Sequence, residues 1–235
     1  MKKTGQNIVQ NIVVIGSGKL AGCIIDNLPK TDAEGVFGSV VGYEDGMHVD
    51  YRSVFVHVGS GRQYAQSLKL AADCGSVYIQ ASTVKHTVMD PPREGVIPFV
   101  HAPNLDLNII RFLFWLKQAG ALFGGERIKI TESHQSGKTS VPGTAYKMAE
   151  ALGVDPAAIT SVRDPHRQFE LGITDIGRHA WHRIAIGGGN SVITLETKVE
   201  GLLSYVEGLS RILKVCGKLG KRNYEIEELV EEGLI

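Results

Sequence analysis

The sequence predicts an α/β protein: a Rossmann-type dinucleotide-binding domain joined to a second, α+β domain with a mixed sheet. Three observations lead there. Short β-branched runs alternate with amphipathic stretches through the first half of the chain, as βαβ units require. A glycine-punctuated turn follows the first run and opens a helix. From Asp106 the pattern changes to a long helical stripe, followed by alternating segments and a glycine hairpin.

The strand candidates of the first domain are Ile12–Ile15, Val36–Val41, Val54–Val58, Val77–Gln80 and Ile97–Val100, with helical stretches after the first and third. Leu107, Ile110, Leu113, Phe114 and Leu116 then make an apolar helical stripe, which Gly124-Gly125 ends before a strand at Arg127–Glu132. A helix at Tyr146–Leu152, a strand at Ile159–Arg163, and alternating segments at Ala180–Ile186 and Ser191–Lys198 follow. Gly187-Gly188-Gly189-Asn190 between the last two is a hairpin turn signal. Leu202–Val215 and Glu225–Leu234 are expected as terminal helices. Residues 1–105 and 200–235 are therefore assigned to the dinucleotide domain and 106–199 to the substrate domain, with the chemistry expected in the cleft between them.

Composition narrows the partners. Lys+Arg and Asp+Glu both total 25 in 235 residues, so no global field draws the protein to nucleic acid or an anionic membrane, and a small-molecule substrate fits better. The apolar run Phe112 to Leu116 is too short to span a bilayer, and Gly5, Gln6, Asn7, Gln10 and Asn11 interrupt any signal-peptide core. Cys23, Cys74 and Cys216 are far apart and form no CxxC pair, which points to a reducing compartment and a cytoplasmic location. No metal centre is expected. His179 and His182 are three apart in a strand pattern and should face opposite ways. Asp164-Pro-His166-Arg167 is taken as a surface loop.

The strongest motif is Gly16-Ser17-Gly18-Lys19-Leu20-Ala21-Gly22, directly after the strand Asn11–Ile15. Gly16 permits a tight turn, Gly18 lets a pyrophosphate approach the backbone, and the helix N-terminus offers free N–H donors. A tight βα turn without a ligand is the alternative. Glu44, about twenty residues beyond the glycines, is the candidate partner of a ribose hydroxyl. No Arg or Lys adjoins it to take a 2′-phosphate, which favours NADH slightly over NADPH. Ser136-Gly137-Lys138-Thr139 ends like a phosphate-binding loop, but Glu132 stands where that motif needs its first glycine.

The second informative stretch runs from Ile130 to Ala145. It gathers His134, Gln135 and Lys138 in a polar loop and then begins a helix at Gly143 and Thr144. An imidazole, an ammonium and a helix N-terminus suit an anionic substrate that needs a proton: Gly143 and Thr144 offer N–H groups to a carboxylate, and His134 or Lys138 supplies the proton. A solvated loop with a capped helix explains the same residues.

This stretch resembles the dihydrodipicolinate (4-hydroxy-tetrahydrodipicolinate) reductase family through Glu132, His134, Lys138, Gly143, Thr144 and Ala145. The likeness continues in Gly16–Gly22, in Ala81-Ser82-Thr83, in Ala102-Pro103-Asn104-Leu105, in Ile159–Arg163 and in Tyr224-Glu225-Ile226. It implies hydride transfer from NADH or NADPH to a cyclic imine dicarboxylate of lysine and diaminopimelate biosynthesis. By the same carry-over His134 and Lys138 match the acid residues and Gly143 and Thr144 would hold a substrate carboxylate, to which Gln135 can also hydrogen-bond. Ala81, Ser82, Thr83, Ala102, Pro103, Asn104 and Leu105 would border the nicotinamide end of the cofactor, and the assembly would be a homotetramer. The chain also departs from the pattern. Gln135 stands in place of a second histidine, Ser140 or its neighbour in place of an aspartate, and Lys198 where an arginine is usual. An amine or amino-acid dehydrogenase, an imine reductase for another substrate, and a non-catalytic dinucleotide sensor are the alternatives.

Overall fold

In the computed structural model, residues 9–32, 35–50, 53–82, 90–138 and 142–235 are described; Thr83, Thr139, Ser140 and the residues before Val9 lie outside them. The chain divides into two compact units, Met1–Ile110 with Leu203–Ile235, and Arg111–Leu202.

Unit 1 begins with β1 (Val9–Ile15), α1 (Lys19–Asn27), β2 (Phe37–Gly42), β3 (Val54–His57), α2 (Tyr64–Asp73), β4 (Val77–Gln80) and β5 (Phe99–His101). Its sheet is parallel, and along it the strands run β10-β5-β4-β3-β1-β2, where β10 is Asn223–Glu225. The apolar runs are continuous because both faces are covered. Ile12, Val14, Val54, Val56, Ile79 and Val100 form one face, packed with residues of α1 and of α6 (Leu203–Val215). Val13, Ile15, Phe55, Tyr78 and Phe99 form the other, packed with Tyr64 and Ala71 of α2. β2 lies on one side of β1 and β3 on the other, so the order reverses at β1 and β3, the switch point where open α/β sheets bind ligands at their carboxyl ends.

The predicted strands fall within a few residues of those observed. β5 starts at Phe99 rather than Ile97, because Pro98 has no N–H to give the ladder. β10 was not anticipated; its three residues pair with β5 and continue directly into α7 (Ile226–Glu231).

Unit 2 contains most of α3 (Leu107–Ala119), then β6 (Ile128–His134), α4 (Gly143–Ala151), β7 (Thr160–Val162), α5 (Pro165–Glu170), β8 (His179–Gly188) and β9 (Ser191–Glu200). Its sheet runs β7-β6-β8-β9, with β7 parallel to β6 and the other pairs antiparallel, a mixed sheet as expected. Gly188 pairs with Ser191, so Gly189-Asn190 forms the two-residue hairpin turn. The segment taken as a surface loop is instead the start of α5. The Asp164 side chain accepts the Arg167 N–H as N-cap and Pro165 occupies the first turn, a start signal the sequence carried.

Candidate active site

At the carboxyl end of β1 the backbone of Gly16 passes close to that of Gly59, which follows β3. Gly16 has φ +139°, and a Cβ on it would come within 3.0 Å of Gly59 Cα. A side chain at either position would wedge the two strand ends apart. Gly18 and Gly22 serve a different purpose, since a Cβ on either would meet nothing within 4 Å. Gly18 is the N-cap of α1, which has no side-chain cap and no acidic residue in its first turn. The open space over Gly18 and the uncommitted first N–H groups fit a pyrophosphate. Ser17 and Lys19 are exposed beside it, whereas Ala21 is buried and Leu20 packs on the core, so these two contribute packing and backbone.

Glu44 is exposed in the turn after β2, at the carboxyl edge on the β1–β2 side, and Tyr43 N–H donates to Val14 O there at 2.9 Å. Ala81 and Ser82 leave the end of β4, and Ala102 to Leu105 leave the end of β5. Backbone bonds tie both segments to the sheet: Ala81 N–H to His57 O at 2.8 Å, and Ala102 N–H to Gln80 O at 2.9 Å. Asn104 accepts the Asp106 N–H, Asp106 accepts the Ile109 N–H, and the segment therefore enters α3 in a fixed conformation. The dinucleotide candidates thus fall along one edge of one sheet.

In unit 2 the alternation of β6 puts Glu132 and His134 on one face and Ser133 on the other. Glu132 is fully buried. Arg163, just past β7, donates from both terminal nitrogens, Nη2 to Oε1 at 2.7 Å and Nη1 to Oε2 at 3.1 Å. His134 Nδ1 lies 2.6 Å from Glu132 Oε2. Burial opposes the Glu132 anion, yet the hydrogen bonds from His134, Arg163 and Ser161 outweigh it and bring its pKa down to about 2. An ionised Glu132 only accepts, so His134 donates to it through Nδ1–H. The ring edge of His182 meets His134 at 5.7 Å between centroids. His182 is buried, bonds Thr197 Oγ1 through Nδ1 at 3.2 Å, and has no partner for Nε2 among the described residues. Burial first, then the neighbouring His134 charge, lowers its pKa to about 3.

The opposite face holds His134 from behind. Ser133 Oγ lies 2.9 Å from His179 Nε2, and Gln168 Nε2 donates to Ser133 Oγ at 3.1 Å and to the His134 carbonyl at 2.8 Å. His179 and His182 do face opposite ways, as the strand pattern predicted. Gln135 and Lys138 form a turn, Lys138 N–H donating to Gln135 O at 3.0 Å. α4 then starts at Gly143, the helix start expected there and a turn ahead of the Tyr146–Leu152 helical range, with Pro142 as N-cap, no side-chain cap and no acidic residue in its first turn. Gly143 and Thr144 are its first residues, and their N–H groups are intrahelical orphans suited to a carboxylate.

Neither Glu132 nor Arg163 is among the candidate site residues that the residue pattern singles out, although part of the signal lies in the sequence: residues two apart in a strand share a face, and Glu132 precedes His134 by two. Gly59 was missed because its constraint comes from Gly16, a contact no local pattern shows.

No family model matches the chain. Among curated proteins it is 29% identical over 153 residues to the probable chloroplastic 4-hydroxy-tetrahydrodipicolinate reductase 2 of Oryza sativa subsp. japonica, a match covering 56% of this chain and 46% of that one. With chloroplastic 4-hydroxy-tetrahydrodipicolinate reductase 2 of Arabidopsis thaliana it shares 28% over 159 residues, 60% of this chain and 46% of that one. The match thus spans about half the length of these curated relatives. Among solved structures, dipicolinate-bound dihydrodipicolinate reductase from Paenisporosarcina sp. TG-14 superposes with a TM-score of 0.65 at 17% identity, covering 94% of this chain and 100% of that one. The fold is the same.

Proposed function

We propose that this chain, a divergent relative of the 4-hydroxy-tetrahydrodipicolinate reductases, is a nicotinamide-dependent reductase of a cyclic imine dicarboxylate. One observation carries the reading. Buried Glu132, paired with partly exposed Arg163, holds His134 at the end of the strand that leads, through Lys138, to the uncapped N-terminus of α4. We read this as a proton donor and an anion site carried on one stretch of chain, built at some cost from charges a structural strand does not need.

Gly16, Ser17, Gly18, Lys19 and Gly22 would hold the pyrophosphate, Glu44 the adenosine ribose, and Ala81 to Thr83 with Ala102 to Leu105 would border the nicotinamide. The bound dinucleotide supplies hydride to the electron-poor carbon of the imine. Gly143 and Thr144 N–H groups hold a substrate carboxylate, and Gln135 donates a neutral hydrogen bond to it. His134 through Nε2, or Lys138 through Nζ, then delivers the proton that balances the hydride. Exposed Glu44 without an adjacent cation favours NADH over NADPH. The unpaired thiols of Cys23, Cys74 and Cys216 agree with a cytoplasmic, reducing location. A homotetramer assembled through unit 2 agrees with the exposed β9, the edge strand of its sheet, which shows Val192 and Ile193 to solvent.

Gln135 supports a second reading in which the substrate is a different imine, since a neutral amide binds a carboxylate more weakly than a cationic ring would. Oxidation of NADH and NADPH by the purified chain is measured with 4-hydroxy-tetrahydrodipicolinate generated in situ and with a panel of cyclic imines. Rapid turnover on the first supports the proposed reaction, and turnover only on another imine supports the second reading. Cofactor binding without turnover on any would turn the protein into a dinucleotide sensor. Lys138→Ala should lower turnover by about 100-fold or more with little change in NADH affinity; unchanged turnover removes Lys138 from the mechanism.

A further inference from the structure

The alternation of β6 that turns Glu132 and His134 to one side of the unit 2 sheet turns Lys129, Thr131 and Ser133 to the other. Register carries this second face across the neighbouring strands. Thr131 pairs with Thr160 of β7 and with Arg183 of β8, and Ser133 pairs with Val162 and with Trp181. α5 is tied to the same face, because Gln168 donates from Nε2 to Ser133 Oγ at 3.1 Å and to the His134 carbonyl at 2.8 Å.

A cavity of about 330 Å³ lies there, wholly within unit 2, lined by residues of β6, β7 and β8 and by Arg167, Glu170 and Leu171 at α5. Ligand pockets run from about 300 to 1,000 Å³, so this one suits a small molecule. Three cations line it, Lys129, Arg167 and Arg183, against one carboxylate, Glu170, which pairs with His166 at 3.3 Å. Arg183 gives Nε and Nη2 to Glu196 of β9 at 3.0 and 2.7 Å, and its guanidinium carbon lies 4.8 Å from the centre of the Trp181 ring. Lys129 and Arg167 have no ion-pair partner among the described residues. Like charges gathered round one cavity repel, and an anion shared between them offsets that repulsion.

Trp181 supplies an independent observation. It lines the cavity and is fully buried, and its indole N–H has no acceptor among the described residues. Buried N–H groups without an acceptor are rare in folded proteins, and an ion is one of the things that explains them. We propose that this cavity is a binding site for a small dianionic oxyanion, a phosphate or a short dicarboxylate, held by Lys129, Arg167 and Arg183 with the Trp181 indole N–H as a further donor. The site is on the opposite face of β6 from His134, and it stands or falls independently of the reductase reading.

Titration calorimetry with inorganic phosphate, with succinate and, as a monoanion, with acetate tests it on the wild-type chain and on Arg167→Gln, Lys129→Gln and Lys30→Gln. Phosphate or succinate should bind at a site that saturating NADH does not displace, and acetate at least about tenfold more weakly. Whichever dianion binds tells which oxyanion the site takes. Arg167→Gln and Lys129→Gln should each weaken it by about tenfold, the scale of one hydrogen bond to a charged group, while Lys30→Gln, at an exposed cation of unit 1, stays within about twofold. In Trp115→Phe the remaining indole is Trp181, so its emission should change as the dianion binds. Equal weakening in all three glutamine variants would mean a general attraction of anions to cations, and displacement by NADH would assign the anion to the dinucleotide or substrate candidates. Either result overturns the inference, as does emission from Trp181 that ignores the bound anion. A wild-type chain that binds neither phosphate nor succinate overturns it too, with the reductase reading left intact.

Discussion

A carboxylate without solvent exposure stays ionised only while its partners hold it, so Arg163→Ala should leave Glu132 as a buried charge held by His134 and Ser161 alone. The expected cost is about 3 to 5 kcal/mol in urea denaturation. Arg163→Lys keeps the charge but not the fork and should fall between. A loss under about 1 kcal/mol for the alanine variant would show that the pair is solvated after all. The same groups set the acid sensitivity. Glu132 is depressed to about 2, so its contribution is complete above the ordinary carboxylate range and is lost as pH falls from about 4.5 to about 2. His57 and His182, lowered to about 4 and about 3, are buried neutral. Their unfolded forms take up protons below pH 6.5 while the folded forms do not. Each therefore removes stability as pH falls below that value, about 2 kcal/mol per histidine by pH 5. His182→Asn should flatten the decline between pH 7 and 5 measured by urea midpoints, and an unchanged slope would mean that His182 is protonated in the fold.

At the scale of the element, the turn from β1 into α1 separates two demands on glycine. Gly16 answers to the fold, through its φ and its contact with Gly59, whereas no contact of the fold requires a glycine at position 18, which the proposed pyrophosphate would. Gly18 has φ −82° and open space around its Cβ position. Gly18→Ala should thus change the melting temperature by no more than about 2 °C, roughly 0.5 kcal/mol in a chain of this size, while NADH affinity falls at least about tenfold. Retained affinity would place the pyrophosphate elsewhere. The same turn shows what the sequence made legible. Strand, glycine turn and helix are local patterns, as are the hairpin of β8 and β9 and the Asp164-Pro165 start of α5, whose capping signal outweighed its short length. The rest depends on distance. β10 is three residues long and exists because β5 offers it an edge. A Cβ on Gly208 would overlap the Leu105 carbonyl oxygen, which holds α6 against the segment that borders the nicotinamide candidates. The Glu132–Arg163 pair joins residues 31 apart, and the His57–Ser82 bond residues 25 apart. Sequence named the stretch that carries His134 and Lys138, but Arg163, which pairs with Glu132 two residues before His134, arrives from beyond β7.

For the whole molecule, the two tryptophans provide a way to ask whether the units unfold together. Trp115 and Trp181 both belong to unit 2, while the dinucleotide candidates Gly16, Glu44 and Ser82 belong to unit 1. Tryptophan fluorescence therefore follows unit 2, and far-ultraviolet circular dichroism follows both. α3 starts in unit 1, with Leu107 and Ile110 in its core, and ends in unit 2 with Leu116 fully buried. A helix of 13 residues that is anchored at both ends cannot melt halfway without exposing apolar side chains and breaking its own ladder. Ligand at 100 times its dissociation constant stabilises the state that binds it by about 2.7 kcal/mol. If α3 makes the chain one cooperative system, NADH should raise both midpoints together by roughly 5 to 10 °C. A dichroism midpoint that rises while the fluorescence midpoint stays fixed would show that unit 2 melts on its own. In that case the loop bearing His134 and Lys138 would keep its stability whether or not a dinucleotide is bound, and the coupling expected of α3 would be wrong.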